Sequence, residues 1–251
     1  MKNLITILCL MAFNLVSLGC HAQNTEETAV TFLCDATDQP VFNAIESDFN
    51  QNLNAFFTNT DIGTIDFGQR LTIRMGAIDE SDELSLRSKS IALTNKKVSR
   101  KEAARLRDPK PLVQLIATEL ANYKQLSEKK MTSSPIIDVS LKVFREMNTE
   151  AEEILVICTD GVEYSSYANF YKNIPVTEQT VEKLMAKIDQ ILLAEAKEQI
   201  ASTNPKVVVV LKSNDKVKKP AELKKFYNEF FHQLGVDTVR FIDNLSNNPN
   251  L

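Results

Sequence analysis

Three short stretches of this chain are apolar but for Thr31: "VTFLC" at 30–34, "ILVIC" at 154–158 and "VVVVL" at 207–211. A strand that is wet on one face alternates apolar and polar residues, so runs without alternation belong to strands covered on both faces, as in parallel sheets. The segments between them carry helical spacing. Val41, Phe42, Ile45, Phe49, Leu53 and Phe56 recur every three or four residues and predict a helix over Gln39–Phe57, with Pro40 in its first turn. Strand, helix, strand in repetition implies an α/β fold: a doubly wound, mostly parallel sheet of about six strands with helices on both faces.

One region departs from that rule. "QRLTIRMGAID" at Gln69–Asp79 sets Leu71, Ile73 and Met75 against Thr72 and Arg74, which predicts a strand wet on one face. "SLRSKSIALTN" at Ser85–Asn95 reads as its hairpin partner across the acidic loop "DESDE", and the Arg87, Lys89 alternation marks an exposed antiparallel edge. Ser99 caps a helix to Arg107, "DPKP" at 108–111 breaks it, and Leu112–Lys129 resumes it. "MTSSP" at 131–135 reads as the cap of a helix reaching Met147. A long helix is expected over Thr177–Ala201 and another over Pro220–Gln233, stopped by Gly235, before a last strand "TVRFID" at 238–243 and a frayed tail from Asn244. No Gly-, Pro- or Ser-rich linker divides the pattern, so residues 25–245 are expected to form a single domain.

Residues 1–22 have the layout of a secretory signal: Lys2, an apolar run at 4–19, then small residues. The run is short for a membrane span. Two cleavage readings stay open, one after Ala22, the other before Cys20, which resembles a bacterial lipoprotein signal except that Ser17 stands where a leucine is usual. Export to the periplasm or cell envelope is expected, with membrane contact only through a lipid on Cys20. A net charge of −4 with both signs mixed along the chain offers no basic field for nucleic acid. Cys34 and Cys158 both end apolar runs and read as buried thiols, a disulfide being open to them if their strands are neighbours.

In sheets of this kind function gathers beyond the carboxyl ends of the strands, where Asp35 and Asp160 both fall. "DATDQ" at 35–39, "MTSSP" at 131–135 and "TDG" at 159–161 together resemble the metal-ion-dependent adhesion site of von Willebrand factor A domains. That family has a doubly wound sheet with one antiparallel edge strand, and its site joins D-x-S-x-S, a middle Thr or Ser, and a later Asp. The resemblance implies Mg²⁺ or Mn²⁺ held by Asp35, Thr37, Gln39, Thr132, Ser134 and Asp160, with Gln39 departing from the family's Ser. A hard divalent cation is suited by such oxygens and keeps a position for a partner's acidic group. A rim of Asp38, Ser133, Gly161, Glu163, Tyr164 and Tyr167 would then face another protein, the oligomeric state staying open. The expected role is protein binding in the envelope, not catalysis.

Rival chemistries lack parts. A haloacid-dehalogenase-like phosphoester hydrolase would use Asp35 but needs an acid at position 37, which is Thr37. The third alternative is a structural envelope protein with an inactive site. The histidines are His21, beside the cleavage region, and His232 on the last helix, so a Ser-His-Asp triad has little to draw on. Cys34 has no evident base. "KVKKP" at 216–220, with Lys212, Lys224 and Lys225, reads as a solvated basic face or an anion site.

Overall fold

The computed structural model describes residues 26–59, 66, 68–81, 84–93, 98–129, 131–212 and 219–247. The elements run β1 (Glu26–Asp35), α1 (Gln39–Asn59), β2 (Gln69–Ile78), β3 (Arg87–Leu93), α2 (Arg100–Leu106), α3 (Lys110–Ser127), α4 (Ile136–Arg145), β4 (Ala151–Thr159), α5 (Glu178–Met185), α6 (Gln190–Thr203), β5 (Lys206–Leu211), α7 (Pro220–Leu234) and β6 (Thr238–Ile242). They build one six-stranded sheet in the order β3-β2-β1-β4-β5-β6. Only β3 is antiparallel, paired with β2 from Arg87 opposite Met75 to Leu93 opposite Gln69.

Alternation along the central strands feeds two cores. Val30, Phe32 and Cys34 of β1 and Ile154, Val156 and Cys158 of β4 face one side, where α1, α2 and α3 cover them. Leu33, Leu155, Ile157, Val207 and Val209 face the other, under α4, α5, α6 and α7. The central stretches of these strands are largely apolar because both faces are dry. The order of winding reverses between β1 and β4, so their carboxyl ends open the crevice where α/β sheets bind ligands.

Several sequence expectations change. The second face of β2 is not wet: Thr72 is buried, and Arg74 turns its guanidinium onto Glu153 of β4, a residue that the apolar reading of that strand passed over. The helix expected over 177–201 is two helices. Thr177 and Thr180 form a reciprocal cap for α5, and the Asp189 side chain accepts from the Ile191 and Leu192 N–H groups to begin α6. Lys212 does not join a surface cluster, since it is buried against Asp48 and donates to the Asp243 carbonyl at 2.9 Å. Its neighbours are paired too, Lys219 with Glu222 and Lys224 with Asp243, while Lys216 and Lys218 lie outside the described residues. The tail is anchored at Leu245, which is fully buried and whose N–H reaches both Asp48 oxygens at 3.1 Å. The signal segment, with Cys20 and His21, lies outside the described residues. His232 is exposed, as expected of an amphipathic helix.

Candidate metal site at the carboxyl edge of the sheet

Parallel pairing sets Cys34 opposite Cys158, so Asp35 emerges beside Thr159 and one residue before Asp160. Asp35 is 1% exposed, and its carboxylate is held by three neutral donors. Oδ1 accepts the Thr37 N–H at 3.0 Å and the Thr37 hydroxyl at 2.6 Å, and Oδ2 accepts the Thr159 hydroxyl at 2.7 Å. Burial raises the Asp35 pKa above its ordinary value; the hydrogen bonds from Thr37 and Thr159 pull the other way without cancelling it.

The β4 end is shaped by a glycine. Gly161 has φ +81°, where a side chain would be strained, and a Cβ there would meet Leu211 at 3.0 Å. Its N–H donates to the Thr159 hydroxyl at 3.0 Å, and its carbonyl accepts the Tyr227 hydroxyl at 3.0 Å. Asp160 is 5% exposed and takes the Val162 N–H on Oδ1 at 2.9 Å. The Tyr227 hydroxyl is pushed up first by burial and then by the Glu163, Asp160 and Asp35 carboxylates.

The middle loop reaches the same place by backbone pairing. Ser134 N–H donates to the Tyr164 carbonyl at 2.7 Å and Tyr164 N–H to the Ser134 carbonyl at 3.0 Å. Ser133 N–H donates to Glu80 of the β2–β3 loop at 3.0 Å. The Ser134 hydroxyl is buried and has no hydrogen-bond partner, an uncommon state for a native side chain.

Six residues were expected as metal ligands. The structure gathers Asp35, Thr37 and Asp160 at the ends of β1 and β4, and pins Ser134 to the segment four residues past Asp160. Gln39 begins α1 with its side chain exposed, and Thr132 is also exposed; the side-chain bonds of Asp35 among the described residues go to Thr37 and Thr159. Of the expected rim, Tyr164 is 41% exposed, while Asp38, Ser133 and Tyr167 are half-buried. Gly161 is buried in its turn. Glu163 is also a correction, since it is fully buried: its Oε2 accepts the Ile137 N–H at 2.9 Å. It caps α4 from across the fold, because Pro135 fills the N-cap position without a side-chain acceptor and the Ser and Thr of "MTSSP" do not serve there. Burial without a counter-charge pushes the Glu163 carboxyl up to about 8.

Sequence reasoning also passed over Thr159 as the link between the two aspartates, and Tyr227, sixty-six residues from the carbonyl it holds. The "TDG" triplet carried a signal for the first, since a hydroxyl beside the strand-end acid can turn to the neighbouring strand; nothing local marks the second. Cys34 and Cys158 face each other across β1 and β4 as free, buried thiols, and the hydrogen bond to Cys158 together with burial pushes the Cys34 thiol up, away from nucleophilic use.

No family model and no curated protein sequence matches the chain. Among solved structures it is similar to proximal thread matrix protein 1 of the mussel byssus, described with a zinc-occupied MIDAS motif, at 12% identity and TM-score 0.34, covering 90% of this chain and 46% of that one. It is also similar to a human COPII-coat protein at 10% identity and TM-score 0.36, over 79% of this chain and 28% of that one. A third is manganese-loaded Plasmodium vivax TRAP protein, at 10% identity and TM-score 0.29, over 88% of this chain and 69% of that one. The chain spans less than half the length of the mussel protein. Likenesses this distant carry no argument about residues or ligands. By its own sheet order, with five parallel strands and one antiparallel edge strand, the fold is von Willebrand factor A-like.

Proposed function

We propose that the protein is an exported binding module of the cell envelope that engages another protein at the carboxyl edge of its sheet, through a divalent cation. One observation supports this reading above the rest: Asp35 is a buried carboxylate that accepts, among the described residues, from neutral groups, near Asp160 and a buried serine hydroxyl with no partner. A desolvated carboxylate without a positive neighbour is costly, and a bound cation offsets that cost. Asp35 and Asp160 would supply charge, and the Thr37 and Ser134 hydroxyls neutral oxygens, a donor set that suits Mg²⁺ or Mn²⁺. Gln39 and Thr132 are left out of the set because their side chains face solvent.

When bound, the cation supplies a coordination position for a carboxylate of the partner. The chain's own residues fix where that position lies: Thr37 and Thr159 orient Asp35, Gly161 and Tyr227 hold the β4 turn, and the exposed Tyr164 offers an aromatic contact at its side.

Melting of the protein with and without Mg²⁺ or Mn²⁺ tests the proposal. A cation at a hundred times its Kd should stabilise the fold by about 2.7 kcal/mol, raise the melting temperature, and lose that effect in Asp160→Ala. No shift in the wild type would overturn the reading. Hydrolysis of a generic phosphoester, abolished by Asp35→Asn, would replace it with the hydrolase.

A further inference from the structure

Two thiols lie directly beneath the carboxyl edge, and neither serves the cation site. Cys34 is the residue before Asp35, and Cys158 comes two before Asp160. Parallel pairing sets one opposite the other, so their side chains leave the same face of the sheet, and both are buried in the core under α1, α2 and α3. Packing alone does not require cysteine at both positions. One step back on the same face, Phe32 stands opposite Val156, and before them Val30 stands opposite Ile154, so ordinary core residues fill this layer.

The geometry of the pair suits a covalent link. Neighbouring strands run about 4.7–4.9 Å apart, inside the Cα separation of about 4.4–6.8 Å that a disulfide spans. In this structure both residues are free thiols, and the two side chains are within hydrogen-bonding reach of each other. Joining them needs an adjustment of two side chains and no new arrangement of strands.

We propose that Cys34 and Cys158 form a disulfide in the exported protein, a cross-link between β1 and β4 directly below the two aspartates of the cation site. The inference rests on the export part of the binding-module reading, since disulfides persist in oxidising compartments and are rare in the cytosol. The oxidant is a disulfide, RSSR, of that compartment. One cysteine thiolate attacks it and releases the first RS⁻; the second cysteine then displaces the other from the mixed disulfide. The two cysteine protons pass to the released thiolates, so RSSR is reduced to two RSH while the cysteine pair is oxidised. Burial sets the timing. Neither sulfur is reachable once the sheet is covered, so the bond forms as β1 and β4 come together and is afterwards shielded from reductant. The strands that end in Asp35 and Thr159 are then tied at their tips, and the chain between 34 and 158 is closed into one long loop that restricts the unfolded state.

Peptide mapping of the full chain, expressed in a bacterium with residues 1–22, tests the link. Envelope and cytosolic fractions are unfolded in guanidinium with iodoacetamide and digested at their glutamates. Fragments 28–46 and 154–163 carry Cys34 and Cys158 and no other cysteine; from the envelope they should appear joined, two hydrogens lighter than their sum, and should separate on reduction. Protein refolded in glutathione disulfide should show the same joined fragments and melt at a higher temperature than protein refolded with a phosphine reductant. C34A/C158A should melt alike under both conditions. An exported chain whose Cys34 and Cys158 are fully alkylated, or are joined to Cys9 or Cys20, would overturn this proposal alone, as would an equal response to the phosphine in C34A/C158A. A chain confined to the cytosol would overturn the export reading and this inference with it.

Discussion

Glu153 and Glu163 are both buried glutamates on or just beyond β4, at 1% and 0% exposure, and their surroundings are opposite. Glu153, near the start of the strand, receives both arms of the Arg74 guanidinium at 2.9 and 3.0 Å and the Asn148 N–H at 2.8 Å. Glu163, past the strand's end, receives the Ile137 N–H on Oε2, has the Ser165 hydroxyl as a neutral neighbour, and meets no cation among the described residues. The same contrast runs along the sheet. Asp48 is neutralised by Lys212 and bonded by Leu245, whereas Asp35 takes only hydroxyls and an amide. Where Glu153 and Asp48 fasten the fold, the protein supplies the cation itself; beside Asp35 and Glu163 it supplies none among the described residues. Under the proposed function, a buried Asp35 with no cation beside it among the described residues, at the switch point of the sheet, leaves that position for an outside ligand.

The largest effect should come from breaking the compensated side. Arg74→Met leaves Glu153 as a buried charge without a partner and should cost about 3–5 kcal/mol, read from the denaturant midpoint. A loss below about 1 kcal/mol would put Glu153 on the same footing as Glu163 and dissolve the contrast.

On the uncompensated side the effect depends on pH. The folded protein holds the Glu163 proton up to about 8, whereas the unfolded chain releases it near 4.5. Stability from that proton is therefore fully present below about 4.5 and is lost as pH rises to about 8. Glu163→Gln keeps an acceptor for Ile137 and cannot ionise, so its stability relative to wild type should climb between pH 5 and pH 8, by urea unfolding at each pH; a constant difference would contradict the burial argument. Asp35 has a raised pKa of the same origin. Asp35→Asn should accordingly raise the metal-free melting temperature at neutral pH while removing the increment from Mg²⁺. A variant that is both less stable and still cation-responsive would show that Asp35 is only a fastening for its loop.

Smaller effects separate shape from charge. Gly161→Ala asks a Cβ to sit at φ +81° against Leu211 and should cost about 1–2 kcal/mol by thermal melting, together with weaker cation response. Glu152→Gln, which breaks the exposed pair with Lys206, should change stability by less than about 1 kcal/mol.

Much of the architecture was legible in the sequence because its signals are local. Apolar runs announced β1, β4 and β5, the Leu71, Ile73, Met75 alternation announced the hairpin, and Gly235 at φ +97° ends α7 as its position suggests. The two aspartates at strand ends were legible for the same reason. What could not be read depends on partners far away in the chain. Arg74 looks like a solvent-facing residue until Glu153 is set beside it, seventy-nine positions on. Glu163 looks like a rim residue until the Pro135 cap leaves the α4 amides open to it. Local pattern fixes the period of an element and its ends, while compensation of a buried charge is a property of the assembled sheet.

Mn²⁺ binding followed directly, by titration calorimetry on the wild type and on Asp35→Asn, addresses the central proposal that the buried Asp35 carboxylate is kept for a cation. The account predicts one Mn²⁺ per wild-type chain, displaced by excess Mg²⁺, and no binding in the variant. Absence of binding in the wild type, or equal binding by both proteins, would contradict it.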